Sequence, residues 1–450
     1  MISKVILKNF KGFQNIELEC NKENNILIGE NGSGKTTILY AIGLVLSGSH
    51  AQIEKNGLAS LFNSTAISKF LNSRDIKLLP ELFVEIYFDD SYEEIKNNFD
   101  IEGTHNSKRM NSYGVSLRII PNNDFNKEIK EALIDSDWRV FPFEFYKVEF
   151  LSFNGKIYTS YTKPFKFLYS LVNTSQINTT QENQKRIEEI YLDRIPIENR
   201  AKVNHEFRKS YDNLLTQLKS SNLVKDNDSE YDLYFEDSEK SFRNSVSAIK
   251  DGIDIKNLGQ GEKVLLSVEN SYCFLKDSVK ILLIEEPENH LSYLNMLKLI
   301  AILNSKTGIQ VFIGTHSNMI ASRLGIDNIT LLKERNVSKI QNLQKDTIRF
   351  FKKSTNQNLL NFALTDKVIL VEGNAEYILM EKFFDMIHQV NPELLGVSII
   401  SVDGLSFKRY LEIAKEFESK NVAVITDNDK NYTTNILEKY SIFNIYNNIR

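Results

Sequence analysis

The stretch Asn25-Ile26-Leu27-Ile28-Gly29-Glu30-Asn31-Gly32-Ser33-Gly34-Lys35-Thr36-Thr37 decides how this chain is read. An apolar strand runs into a loop of the form G-x-x-x-x-G-K-[ST]. The apolar residues Ile38, Leu39, Ala41, Ile42, Val45 and Leu46 then recur at helical spacing. Strand, glycine-rich loop and helix in that order make an anion cradle. Glycines let backbone N–H groups wrap a phosphate without a Cβ in the way, and the helix N-terminus adds favourable potential. The expected nucleotide-binding residues are Gly29, Asn31, Gly32, Ser33, Gly34, Lys35, Thr36 and Thr37. Lys35 is placed to reach the terminal phosphates of ATP, and the Thr36 hydroxyl to bind Mg2+.

A second apolar run, Ile281-Leu282-Leu283-Ile284, ends in Glu285-Glu286. A run without alternation reads as a strand buried on both faces, as in a parallel sheet. Glu285 is expected to help hold the metal, and Glu286 to polarise the attacking water as a general base. The next strand, Gln310 to Ile313, leads to Gly314-Thr315-His316-Ser317. His316 is read as a donor to the γ-phosphate after closure.

Asn257 to Lys263, with Gly259, Gln260, Gly261 and Glu262 at its centre, resembles the LSGGQ-type signature of ABC ATPases in the form used by structural-maintenance and repair ATPases. That resemblance implies contact with ATP held by a partner head, and hence a homodimer. Gly259 takes the serine position, and Gln260-Gly261-Glu262 stand where Gly-Gly-Gln would be.

A third region has its own strand–helix rhythm. Lys367 to Val371 leads to Glu372-Gly373-Asn374-Ala375-Glu376, and Val422 to Ile425 leads to Thr426-Asp427-Asn428-Asp429. Glu372 and Glu376 lie one helical turn apart, so both are expected to face one site. Four carboxylates at strand ends suit Mg2+ or Mn2+, and metal-assisted cleavage of a phosphodiester is the chemistry they point to.

An ABC-type ATPase, a central insertion, then V-E-G-x-x-E and D-x-D resemble the OLD (overcoming lysogenisation defect) nuclease family, a plan shared by Gabija-type nucleases. The run Ser401 to Tyr410 resembles that family's Toprim domain as well. The resemblance covers 1–46, 257–320 and 364–430. It implies ATP-controlled cutting or nicking of DNA in defence against phage, with Glu372, Glu376, Asp427 and Asp429 binding metal. Lys408 or Arg409 would contact phosphate. Family members continue past the point where this sequence stops, so the Toprim domain is expected to be incomplete at Arg450.

The fold class expected is α/β: an ABC-type P-loop head with a mainly helical insertion, followed by a Rossmann-like Toprim domain. The head takes 1–46 and 250–335 with β-rich parts of 80–160. The insertion takes 165–250, a candidate dimerisation region with a polar helical stretch over about 180–222 and an acidic loop over 226–239. A connector takes 336–363, and the Toprim domain 364–450. The 450 residues are 42% hydrophobic and 25% charged, enough to bury several cores. A net charge of -4 argues against a passive nucleic-acid coat, so DNA contact requires a local patch or bound metal. Two distant cysteines, Cys20 and Cys273, offer neither a disulfide framework nor a zinc pair. No apolar run reaches the length of a membrane span. A cytoplasmic homodimer or higher homo-oligomer, with DNA and a defence-system protein as partners, is the expectation. Two rivals compete with the nuclease. One is an ATP-hydrolysing sensor whose Toprim domain does not cut and acts through a partner. The other is a repair-type ATPase that tethers DNA, disfavoured because no long heptad coiled coil interrupts the head.

Overall fold

The computed structural model describes residues 1–73, 75–134, 140–173, 194–221, 223, 242, 246–247, 249–273, 279–305, 308–340, 343–353, 358–404, 406–417 and 420–426. The acidic stretch 226–239 lies outside them, as do Asp427 and Asp429. Two compact units are present. One comprises 1–171, 277–288 and 300–450, and the other 172–276 and 289–299.

In the first unit an antiparallel sheet is built from β1 (Ile2–Phe10), β2 (Phe13–Glu19), β4 (Leu82–Phe88), β5 (Glu102–Gly103), β6 (Ser112–Pro121) and β7 (Tyr146–Ser152). A second sheet has the order β14-β13-β3-β12-β11-β8, where β3 is Asn24–Gly29, β8 Leu168–Asn173, β11 Val279–Glu285, β12 Gln310–Gly314, β13 Ile329–Lys333 and β14 Asn336–Lys339. Strands β13, β3, β12 and β11 run parallel. Their apolar runs are buried throughout, as expected for strands covered on both faces. The helix Lys35–Ser47 packs against β4 and β6 of one sheet and β3, β11 and β12 of the other. This placement explains why it is apolar all round. Ile38, Leu39, Ala41, Ile42, Leu44, Val45 and Leu46 are all buried.

Residues 50–73, which show little pattern in sequence, fold as helices His50–Asn56 and Ser64–Ser73. Phe62 and Phe70 anchor this segment in an aromatic cluster with Phe141 and Tyr146. The first strands of the stretch read as a connector belong to the ATPase, since β14 pairs antiparallel with β13. The rest of it forms helices Lys345–Lys353 and Leu359–Leu364. The third sheet, in the order β16-β15-β17, is parallel, with β15 Lys367–Val371, β16 Val397–Ser401 and β17 Asn421–Ile425.

The second unit holds the helix Ile197–Ser220, which is the described part of the long polar stretch, and a hairpin of β9 (Ile249–Lys250) and β10 (Ile253–Asp254). The hairpin turns at Asp251-Gly252, both at positive φ, as a tight two-residue turn demands. Ile255, Leu258 and Leu266 form its small core.

Gln310 joins the first two of these sheets. Its buried amide accepts from the Ile2 N–H at 2.9 Å and donates to the carbonyls of Ile2 (2.8 Å) and Asn21 (2.7 Å). Gln310→Leu removes the partner of three backbone groups and is expected to cost at least about 3 kcal/mol, at roughly 1–3 kcal/mol per buried orphan. A urea or thermal midpoint unchanged from wild type would show that the amide is dispensable.

Candidate functional site

The parallel register sets the site. Glu285 pairs with Gly314, Gly314 with Leu27, and Leu332 with Gly29, so the carboxyl ends of β11, β12, β3 and β13 lie along one edge. The phosphate-type loop, both glutamates and the histidine all leave the sheet there.

Asn31 and Gly32 are exposed at the loop tip, Thr37 is half-buried, and Ser33 and Lys35 are buried. Close approaches at two positions and a positive φ at a third explain the glycines. A Cβ on Gly29 would stand 2.4 Å from the Leu332 carbonyl oxygen and from Ser33 Oγ. One on Gly34, at φ +110, would stand 2.2 Å from the Phe13 ring. Gly32 is at φ +77 with open space around it. The Lys35 ammonium donates to the carbonyls of Gly29 (2.9 Å) and Glu30 (3.2 Å) and lies 2.7 Å from His316 Nε2. Burial lowers its pKa, and the carboxylates of Glu286, Glu288 and Glu285 oppose that shift. The Thr36 hydroxyl donates to Glu285. Ser33 Oγ is buried without a hydrogen-bond partner among the described residues, an orphan that a phosphate oxygen would satisfy. A phosphate cradle, a cation and an adjacent hydroxyl–carboxylate pair fit ATP with a divalent metal.

Glu286 has φ +41, uncommon for a residue with a side chain. Its N–H donates to the Gly314 carbonyl at 2.8 Å, and its Oε1 lies 3.6 Å from His316 Nε2. The turn thus aims Glu286 at the same point as Lys35 and His316.

Two further residues emerge from the geometry. Glu288 Oε1 accepts from the Thr315 hydroxyl at 2.9 Å and from the His316 N–H, fixing the loop that carries the histidine. Its sequence signal was available, a third acid two residues after Glu286 and just past Pro287. Lys11 sits with its ammonium 4.3 Å from the Tyr40 ring centre. Burial lowers its pKa, and the field of Glu285 pulls the other way. Nothing in the sequence singles Lys11 out.

The signature residues belong to the second unit. The helix Gln260–Cys273 starts at Gln260, with Gln260 and Glu262 exposed. Gly259 stands in open space, whereas a Cβ on Gly261 would lie 2.5 Å from the His290 carbonyl oxygen. Close packing within the chain, rather than approach to phosphate alone, therefore accounts for the glycine at 261.

In the third sheet Glu372 follows β15 and accepts from the Thr426 hydroxyl at 3.1 Å. Glu376 does not simply face the same point. Its Oε2 turns back to accept the Gly373 N–H at 2.9 Å, capping the helix Asn374–His388. Asp403 lies beside Glu372 in the fold, because the Gly404 N–H donates to the Glu372 carbonyl at 2.8 Å. Among the described residues no group of three or more acids, histidines or cysteines converges on a metal position.

The glycine contacts give a direct check. Gly29→Ala is expected to lower affinity for a fluorescent ATP analogue at least about tenfold, because a misplaced loop loses the aligned N–H donors. Wild-type affinity in that variant would show that the loop tolerates a Cβ.

Comparison with known proteins agrees with this geometry. Residues 1–321 match the AAA ATPase domain family, and 364–429 match the family described as overcoming lysogenization defect protein-like, TOPRIM domain. The chain is similar to Endonuclease GajA of Bacillus cereus (strain VD045), at 25% identity over 95% of this chain and 75% of that protein. It is 51% identical over 47 residues to the DNA replication and repair protein RecF of Rickettsia canadensis (strain McKiel), spanning 13% of that protein. Among solved structures, the Smc head domain from Pyrococcus furiosus aligns at a TM-score of 0.42 with 15% identity, covering 75% of this chain and 94% of that one. No described helix is long and apolar enough to cross a membrane. With a phosphate cradle at the end of one parallel sheet and a Toprim match over another, the chain belongs to the AAA ATPase domain family and is an OLD-type ATPase–Toprim protein.

Proposed function

We propose that this protein is an ATP-controlled, divalent-metal-dependent DNA endonuclease or nickase of the OLD type, acting in defence against phage as a homodimer or higher oligomer. The observation that carries the reading is the contact between Glu372 and Thr426. It brings the residue immediately before Asp427 in the sequence to the first acid of the Toprim motif. The register of Val371 with Ile425 fixes that juxtaposition. The similarity to an endonuclease along 95% of the chain supports the same reading.

In the ATPase half, Lys35, Thr36 and the loop amides would hold the triphosphate. Glu286 would take a proton from the attacking water, and His316 would donate to the γ-phosphate. Magnesium at Thr36 and Glu285 would offset phosphate charge. In the Toprim half, Glu372, Asp427 and Asp429 would hold magnesium or manganese. Such ions neutralise the phosphodiester and let an acidic protein approach DNA. Glu376 would act through its second carboxylate oxygen while the first holds the helix cap.

Plasmid cleavage in magnesium or manganese, with and without ATP, tests this. Asp427→Ala is expected to abolish cutting while ATP hydrolysis continues. Glu286→Gln is expected to lower hydrolysis at least about a hundredfold, the upper end of what a general base supplies, and to change cutting without abolishing it. A wild type that hydrolyses ATP and cuts no DNA in either metal points instead to the sensor with a non-cutting Toprim domain.

The two halves are joined one residue beyond the histidine motif. Asn318 Oδ1 accepts the Leu360 N–H at 2.7 Å, and Asn358 Nδ2 lies 3.5 Å from the Ser401 carbonyl at the end of β16. Asn318→Ala is therefore expected to keep ATP hydrolysis within about threefold of wild type while the effect of ATP on cleavage is lost, the deletion costing only one hydrogen bond of about 1 kcal/mol. Cleavage that still responds to ATP in full would remove this joint from the coupling.

A further inference from the structure

The helix Lys345–Lys353 carries Lys345, Arg349, Lys352 and Lys353 against a single acid, Asp346. Its inner side is spent on packing. Phe351 is buried with its ring edge-on to Tyr410 at 5.1 Å, and the Thr347 hydroxyl donates to Glu412. All four cations are left exposed on the outer side. Arg409, from the helix Phe407–Ala414, joins them. Its Nη1 donates to the Asp346 carbonyl at 2.5 Å, and its guanidinium lies 4.7 Å above the Phe350 ring. Asp346, Arg349, Phe350, Lys353 and Arg409 line an open cavity of about 430 Å³.

This concentration of positive charge runs against the composition, since the whole chain has a net charge of -4. Like charges on one face repel and gain little from burial. The Arg349–Asp346 pair does little to offset this, at 3.7 Å with side chains 73% and 79% exposed. A guanidinium held over a ring and by one backbone carbonyl is restrained while its remaining donors stay available to phosphate oxygens. The location adds direction. Arg409 lies in the first turn of the helix that follows the 402–404 loop, and that loop is hydrogen-bonded to Glu372 through Gly404. The basic face therefore begins at the carboxyl end of the β16-β15-β17 sheet, where Glu372 stands.

We propose that this face binds the phosphodiester backbone of nucleic acid and leads it to the carboxyl end of the Toprim sheet. The inference rests on the nuclease reading above and adds the track by which the substrate arrives. Lys345 and Lys352 widen the track, while Arg349, Lys353 and Arg409 make its floor.

The test is fluorescence anisotropy of labelled duplex and single-stranded DNA with the full chain, in EDTA, over a salt series. For the triple variant Arg349→Gln/Lys353→Gln/Arg409→Gln, affinity is expected to fall at least about tenfold. The slope of log K against log salt should drop by about 2–3 on duplex and about 2 on single strands, because each phosphate contact contributes roughly 0.9 and 0.7. A double variant, Arg349→Glu/Lys353→Glu, leaves the Arg409 packing contacts intact and is expected to weaken binding further by charge reversal. Thermal midpoints confirm that each variant is folded. Wild-type DNA binding with the same affinity and slope in both folded variants overturns the track while leaving the nuclease reading in place. A wild type that binds neither DNA in EDTA overturns the track, while the metal-dependent nuclease reading stands or falls by the plasmid assay.

Discussion

Burial of the Lys35 ammonium is the constraint around which the ATPase half is arranged. An ammonium taken out of water costs several kcal/mol unless its donors are used and opposite charge is near. Here the three acceptors come from two places, the carbonyls of Gly29 and Glu30 in the loop and Nε2 of His316 at the end of β12. Three carboxylates on the β11 side supply the favourable field. The loop, the two strand ends and the histidine are thus held in one arrangement by the group that would grip a phosphate. A triphosphate that takes over the ammonium releases His316 from it. Such an exchange would link nucleotide arrival to the β12 loop.

That loop reaches the Toprim sheet through one short helix, Leu359–Leu364. Its first-turn N–H at Leu360 is bound by Asn318. The carbonyls of Phe362, Ala363 and Thr365 at its end accept from the Lys420 ammonium. A cation at a helix C-terminus is favoured by the helix dipole and satisfies carbonyls that lack intrahelical partners. Burial draws the Lys420 pKa down to about 8. The helix is thus held at its start by Asn318 of the ATPase and at its end by the residue preceding β17. The pairing of Lys333 with Asp366 adds a second tie between β13 and the start of β15.

Much of this was legible in the sequence where local pattern and chemistry coincide. Gly29 to Thr37 showed strand, loop and helix together, and the unbroken apolar runs at 281–284 and 310–313 announced a parallel sheet covered on both faces. The middle of the head was not legible, because its stability comes from contacts distant in sequence. Phe62 and Phe70 matter through Phe141 and Tyr146, some eighty residues on. The buried Glu85 carboxylate, satisfied by Tyr87 and by the N–H and hydroxyl of Ser107, looks in sequence like a surface acid in a strand. In sequence, Gln310 only begins a strand, and nothing distinguishes Lys11 from any other lysine. Each owes its role to a partner that no local period reveals. The spacing of Glu372 and Glu376 placed them on one side of a turn, yet spacing does not show that a backbone N–H competes for the second carboxylate.

That competition has a physical logic. A carboxylate has two oxygens and about four acceptor positions, so the cap at Gly373 uses only part of Glu376. The cap fixes where the helix Asn374–His388 starts, and thereby the direction in which Glu372 leaves β15. The charge layout follows the same separation of tasks. Acids gather where strands end, at Glu372 and Asp403. Cations gather on the helix Lys345–Lys353 and at Lys408 and Arg409, on two helices that meet through Phe351 and Tyr410. A chain of modest net negative charge can thus offer a polyanion a basic approach and an acid-lined end point. Merging the two would neutralise both, because an arginine held within reach of Glu372 would occupy the oxygens that a metal ion would need.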